Sequence, residues 1–585
     1  MRHPLKWTAI GAAALLLAAA GAYRWPISSA RVAAAFNRQL GTSAGVELRR
    51  PARVYLTILP LPSVQILDVE FHDKNGVTLA TAPRAKARLA MAPLLFGDFQ
   101  FASVMLREPT AVIDLDRGPF AKSGAFRGLF ASSDETGAEP SLGDLRVEHG
   151  LLHVVSAERG VDTLIEDIDG DVDWPRLTGP VNIALHGHWR GEPLAVNAWL
   201  ADPGIWMNGN RSPVHVGLSL RDATLALDGA LVDGGANFEG AIAADGASLP
   251  SLTRLFGAPS LAWLPDGRAS LSGVARGNFR QLAIGDARLT AFNHTFEGAI
   301  TLSAKPLGVA LSGSIAAETI RLDDLFAKAP SLIDQAGDWS AKPFSLALPE
   351  GLNLDLRISA ATVEWRGHAI QDAAFSLMGS GAGVSATLSD ALAYRGAFKG
   401  EATIAPGPDG AEIRLSASLL NADIGALAAD FGLGAYSGVG GAQIALRANG
   451  NSPAALARGL SGEGSLKLGA GVIEGLSFEE ALRRSERRPI NLYSDMRTGR
   501  TTFNDAEAEV TIENGEARLR SATMTGPGVC VALSGTADLA NRQMATELVA
   551  TRADQNGAPN ADGPQLKLTI AGPWSRPVIK SDSGA

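Results

Sequence analysis

Apolar and polar residues alternate along much of this chain, and a period of two commits a segment to a strand with one dry and one wet face. Val214, Val216, Leu218 and Leu220 alternate with His215, Gly217, Ser219 and Arg221. Leu352, Leu354, Leu356 and Ile358 alternate with Asn353, Asp355, Arg357 and Ser359. The pattern recurs at Val181, Ile183 and Leu185, at Leu307, Val309 and Leu311, and at Leu566, Leu568 and Ile570. Turn signals fall between such runs at Asn75-Gly76, Asp228-Gly229, Asp245-Gly246, Asp409-Gly410 and Asn514-Gly515. Clean alternation predicts antiparallel sheet, because the strands of doubly wound parallel folds are buried on both faces.

Length and composition narrow the architecture. At roughly 150 residues per domain the length alone suggests about four domains. Four separate sandwiches, however, need closed cores and clearer linkers than the sequence offers. One continuous sheet fits better, and some twenty or more strands ~4.8 Å apart would make a groove on the order of 100 Å long. A hydrophobic fraction of 46% excludes global disorder, and the 65 glycines and 31 prolines are scattered as turn formers. A net charge of −9 argues against a nucleic-acid surface. The single cysteine, Cys530, excludes a disulfide framework and a cysteine-rich zinc site.

Helices are few and short in this reading. Residues 27–40 precede a C-capping glycine at Gly41. Ser452-Pro453 starts a helix to Arg458 that stops at Gly459. Ser477 and Glu480 form a capping box for residues 478–484. Residues 132–141 (SSDETGAEPS) read as a polar linker and 554–563 as a loop. A loose repeat links a strand beginning at Phe238 to Leu255-Phe256, and another beginning at Leu311 to Leu325-Phe326.

The N-terminus carries an uncharged run over residues 7–23 between Lys6 and Arg24. Trp7, Ile10, Leu15, Leu16, Leu17 and Tyr23 are its membrane-facing candidates, at the short limit of ~17–25 residues for a span. Ala20-Gly21-Ala22 has the small-x-small form of a signal-peptidase site, so a cleaved signal competes with an uncleaved anchor. We expect the uncleaved anchor, with Met1 cytoplasmic and the chain from Trp25 onward beyond the membrane.

Catalytic and metal chemistry is poorly supported. His186 and His188 share a strand face with no nearby carboxylate or cysteine to complete a site, and His149 and His153 flank Gly150 on a strand in the same way. Asp167, Asp169, Asp171 and Asp173 suggest calcium, but a helix-loop-helix calcium loop needs glycine and glutamate where Val172 and Thr178 stand. A hairpin at Asp169-Gly170 with solvated aspartates is the simpler reading, as is a solvated face for Asp114 and Asp116. The glycine-rich stretch 432–441 (GLGAYSGVGG) leads into a strand and lacks a dinucleotide fingerprint. No cofactor, catalytic residue or metal ligand is assigned, and the chain reads as a non-enzyme.

In the N-terminal part the membrane segment is followed by Leu40-Gly41-Thr42, residues 60–69 (PLPSVQILDV), 92–98 (APLLFGD) and 106–115 (LREPTAVIDL). Residues 177–180 (LTGP) and 191–194 (GEPL) come next. In the C-terminal part stand 460–468 (LSGEGSLKL), 471–476 (GVIEGL), 501–503 (TTF), 512–515 (IENG), 533–539 (LSGTADL) and 570–577 (IAGPWSRP). The order of these segments resembles the AsmA family of bacterial envelope proteins, and residues 177–180 and 191–194 resemble strand edges in the same family. The resemblance implies a mainly β fold: an N-terminal membrane helix followed by an elongated, curled antiparallel β-sheet groove with a few short helices. It divides the chain into an anchor (1–25), an N-terminal region (26–131), a linker (132–141), a central groove (142–451) and a C-terminal region (452–585). It implies an inner-membrane, mostly periplasmic protein that supports outer-membrane assembly and protein targeting by carrying phospholipid between membranes. The expected partners are phospholipid, the inner membrane and outer-membrane assembly components, with no nucleic acid. Val214, Val216, Leu218, Leu220, Leu352, Leu354, Leu356 and Ile358 are the candidate groove residues. A lipid-free scaffold for outer-membrane protein assembly and a periplasmic hydrolase are the alternatives.

Overall fold

The computed structural model describes residues 15–16, 18–40, 46–49, 53–73, 76–114, 143–156, 161–175, 179–207, 209–233, 237–247, 267–278, 280–305, 308–327, 331–343, 348, 351–430, 436–485, 499–554, 558–560, 563–574 and 576–581. Their strands form one mixed, mostly antiparallel sheet of 32 strands, with a few short helices. The chain divides into two compact units. The first comprises residues 1–256, 267–291 and 299–310, and the second comprises 257–266, 292–298 and 311–585.

In the first unit, each strand from Gly143–Ser156 to Gln281–Ala291 pairs antiparallel with its neighbour in sequence. The exception to the expected antiparallel sheet lies just upstream. Phe101–Arg107 and Thr110–Asp114 both pair parallel with Gly143–Ser156. Parallel neighbours need a crossover of about a dozen residues or more, and the stretch 115–142 provides that length. The expected linker at 132–141 and Asp116 lie within this stretch, outside the described residues.

The core of the first unit forms where helix Ser29–Leu40 lays Val32, Ala33 and Ala35 on the sheet. They meet Val54, Val64, Ile66, Ala85, Ala87 and Phe101 on the apolar face of the strands beneath. Asn37 fixes the docking. Its Oδ1 accepts from the Leu48 backbone N–H at 2.9 Å, and its amide donates to the Leu48 carbonyl at 3.4 Å. The helix starts at Ser29, two residues later than expected, and Gly41 lies outside the described residues.

In the second unit, helix Phe478–Ser485 buries Phe478, Ala481 and Leu482 against Phe503, Met524, Val529, Ala550 and Leu568. The capping serine is in place, with the Glu480 N–H donating to Ser477 Oγ at 3.3 Å. Helix Pro453–Arg458 matches its sequence signals, with Ser452 as N-cap and Gly459 as C-cap. Ser452 Oγ accepts from the Ala455 N–H at 3.3 Å. Replacing Ser452 with alanine leaves that donor unmet and should cost ~1 kcal/mol. A urea midpoint identical to that of the wild type would show that the cap contributes nothing.

Turn chemistry follows the sequence only in part. Asn514-Gly515 closes the hairpin between Asp505–Glu513 and Glu516–Thr525, with φ of 51° and 79°, the type I′ geometry that suits the strand twist. Asp409 lies in the turn between Gly396–Gly407 and Gly410–Asp423. Asp228-Gly229, in contrast, sits within strand Ala223–Val232. Gly229 is there for close approach, because it faces Gly240 and a Cβ would lie 2.2 Å from the Glu239 carbonyl oxygen. The expected hairpin at Asp169-Gly170 is likewise absent, since both residues lie inside the 14-residue strand Val161–Trp174.

Of the anchor candidates, Trp7, Ile10 and Leu17 lie outside the described residues. Leu15 and Leu16 are helical and exposed, and Tyr23 stacks edge-on against Trp25 at 5.1 Å. The Gly21 carbonyl accepts from the Ile58 and Leu59 N–H groups at 2.9 and 2.8 Å. Among the described residues, no helix is long and apolar enough to cross a membrane.

Candidate functional site

Register turns the alternation of single strands into a continuous surface. In the first unit Leu185 lies opposite Val196, Val196 opposite Leu218, and Leu218 opposite Leu225. The row continues through Ala244, Leu271 and Leu289, so seven consecutive strands place an apolar side chain on one line. A second line runs beside it through Ile183, Ala198, Val216, Leu227 and Ile242. The opposite face carries the intervening polar residues, where His215 pairs with Asp228 at 3.6 Å.

The second unit has its own line. Leu356, Leu377, Ala386, Ala402, Leu415 and Leu446 follow one another across six strands. Leu415 and Ile444 are exposed at 39% each.

Of the residues singled out in the sequence, Val214 is buried, whereas Val216, Leu218 and Leu220 are half-buried. Leu352, Leu354, Leu356 and Ile358 are all half-buried, and Asn353, Asp355, Arg357 and Ser359 are exposed. A second sheet packed on these faces would take such leucines almost fully out of solvent, as Leu482 and Leu566 are in the C-terminal core. The faces are therefore apolar, in register and incompletely covered. Such a surface can exchange contact with water for contact with hydrocarbon at about 25 cal/mol per Å².

A separate polar cluster was not legible in the sequence. The reading that His188 lacks a carboxylate neighbour is corrected by the fold, which brings Asp167 beside it from the next strand, Nδ1 to Oδ2 at 4.0 Å. His149 contributes from the other side, with its Nδ1 2.7 Å from Asp167 Oδ1 and 3.9 Å from Asp169 Oδ2. Both ladders are bulged at this point, and His149 and Asp167 each adopt φ of 52°. Bulges re-aim side chains that regular pleating would separate. The ligand atoms of His149, Asp167 and Asp169 converge within 4.8 Å, a spacing that could hold a metal ion. The two carboxylates also suit a proton. The hydrogen bond that His149 donates to Asp167, then the charge of Asp169, raises the His149 pKa above its ordinary value.

A pH dependence follows from that shift. A raised folded-state pKa gives a contribution that is complete below the unfolded value of ~6.5 and fades as pH rises through the folded value. Asp167→Asn should move the His149 titration back toward ~6.5, read from the ring C–H resonances by NMR. A wild-type ring that already titrates at the ordinary value would contradict the pairing.

Residues 311–522 match the model of the AsmA family. The chain carries an AsmA-family domain. The AsmA match includes Leu352, Leu354, Leu356 and Ile358 and the apolar line of the second unit, and it takes in the segments at 460–468, 471–476, 501–503 and 512–515. Neither a curated protein nor a solved structure matches the chain.

Proposed function

We propose that this is a non-enzymatic envelope protein whose apolar sheet faces hold phospholipid acyl chains in transit between the inner and outer membranes, in support of outer-membrane assembly and protein targeting to the membrane. The observation that carries the reading is the in-register line from Leu185 through Val196, Leu218 and Leu225 to Leu271, half-buried on every strand. An apolar face of this extent is costly to leave against water, and acyl chains match it in chemistry. The AsmA-family domain supports a place in the cell envelope. A tether at the inner membrane through residues 7–23 belongs to the same reading.

Mass spectrometry of organic extracts from the purified full chain tests it. Co-purifying phospholipid at a stoichiometry of one or more per chain is the expected result. Its absence would overturn the conduit and favour a scaffold that contacts client proteins through sheet edges.

A further inference from the structure

The polar face at the N-terminal end of the first unit departs from the acidic balance of the chain. Arg84, Lys86 and Arg88 project from one side of strand Thr78–Leu89, while Ala85, Ala87 and Leu89 between them are buried in the core. Register places Arg84 directly opposite Arg107, a like-charge pair that destabilises a sheet unless an anion offsets it. Arg107 and the neighbouring Arg146 have carboxylate partners, Glu148 at 3.1 Å and Asp171 at 2.8 Å. Among the described residues, Arg24, Arg84, Lys86 and Arg88 form no ion pair.

These four cations line one cavity of about 920 Å³. Hydroxyl groups stand between the cations. Thr57 lies opposite Ser63, Ser63 opposite Arg88, and Arg88 opposite Ser103, a row across four strands at the ladder spacing. Ser63 is only 9% exposed, and Arg88 Nε donates to Ser103 Oγ at 2.8 Å. One wall of the cavity is different. Leu59 and Leu61 are exposed apolar side chains at its rim. Asp144 and Asp173 mark its acidic limit on the far side.

We propose that this cavity binds the anionic phosphodiester headgroup of a membrane lipid. Guanidinium forks with hydroxyls beside them match the oxygens of a phosphodiester, and the Leu59–Leu61 rim accepts the adjoining glycerol and first methylenes. A zwitterionic headgroup adds a fixed cation that Arg24, Arg84, Lys86 and Arg88 repel, so the site selects anionic over zwitterionic lipid. The cavity lies on the face opposite the apolar lines, so the proposal stands independently of acyl-chain transport.

Calorimetric titration of the full chain with short-chain lipids below their micelle concentration tests the site without inserting the N-terminal segment into a bilayer. Dihexanoyl phosphatidylglycerol should bind saturably, and dihexanoyl phosphatidylcholine at least ~10-fold more weakly. Arg84→Glu with Lys86→Glu should weaken phosphatidylglycerol binding by ~10-fold or more, about the loss expected for each charge-assisted contact removed. Arg84→Lys with Lys86→Arg should retain most of the binding, which separates charge from misfolding. Lys567→Glu, an exposed charge reversal in the second unit, should leave it unchanged. Equal affinity for both lipids, or an equal loss of binding in Lys567→Glu, would overturn the proposal. Inorganic phosphate binding as tightly as phosphatidylglycerol would also overturn it and assign the cavity to free phosphate.

Discussion

Leu218→Asp, and separately Leu354→Asp, should cut co-purifying phospholipid by ~10-fold or more while leaving the sheet folded. Leu218 sits in the middle of its apolar line, flanked across the ladders by Val196 and Leu225. In the lipid-free protein a carboxylate at this half-buried position still reaches water, so the cost to folding is modest. Against an acyl chain it must lose that water, and an unpaired carboxylate resists transfer to hydrocarbon by several kcal/mol. A penalty of about 1.4 kcal/mol is already tenfold in occupancy. Ser219→Asp, one residue away on the polar face, is the matched control and should change nothing. The readout is phosphorus per mole of purified protein, with circular dichroism to verify the strands. Lipid content unchanged by both leucine substitutions would refute the acyl-chain reading.

Phe503→Ala carries the largest expected loss of stability. The Phe503 ring is 2% exposed within the cluster built from Leu482, Met524, Val529 and Leu568. Its contact with strand Ser461–Glu474 is close, since a Cβ at Gly471 would lie 2.6 Å from the Phe503 Cζ. The deletion removes the transfer free energy of the ring and leaves a cavity that the surrounding strands, held by their ladders, fill poorly. The expected cost is ~3–5 kcal/mol, and Phe503→Leu should cost less than half of that. Urea unfolding followed through the second unit measures both, and a loss below ~1 kcal/mol would show that the site collapses around the gap.

The strands were legible because their signal is local. Alternation at Leu352, Leu354, Leu356 and Ile358 needs no partner to be read, and the observed strand Leu352–Trp365 follows it residue by residue. The Ser452 and Ser477 caps were legible for the same reason, since each acts on a backbone donor three residues away. Where a residue answers to another strand, the sequence misled. Gly229 looks like half of an Asp-Gly turn, yet its role is to let Gly240 approach, and nothing near it in sequence says so. The parallel pairing of Gly143–Ser156 with two upstream strands was equally hidden, because alternation has no direction.

The sequence by itself therefore determined the fold class, the faces of the strands and the apolar residues on them, all set by the period-two geometry of an extended backbone. Tertiary structure decided which residues meet. It lined up Leu185, Val196, Leu218, Leu225 and Leu271 across separate strands, brought His149 and His188 to Asp167 through two bulges, and gathered Arg24, Thr57, Ser63, Arg88 and Ser103 at one cavity. The physical reason is register. A shift of one residue in any ladder leaves every strand's own pattern intact but sends its side chains to the opposite face, so only the paired backbone fixes the surfaces.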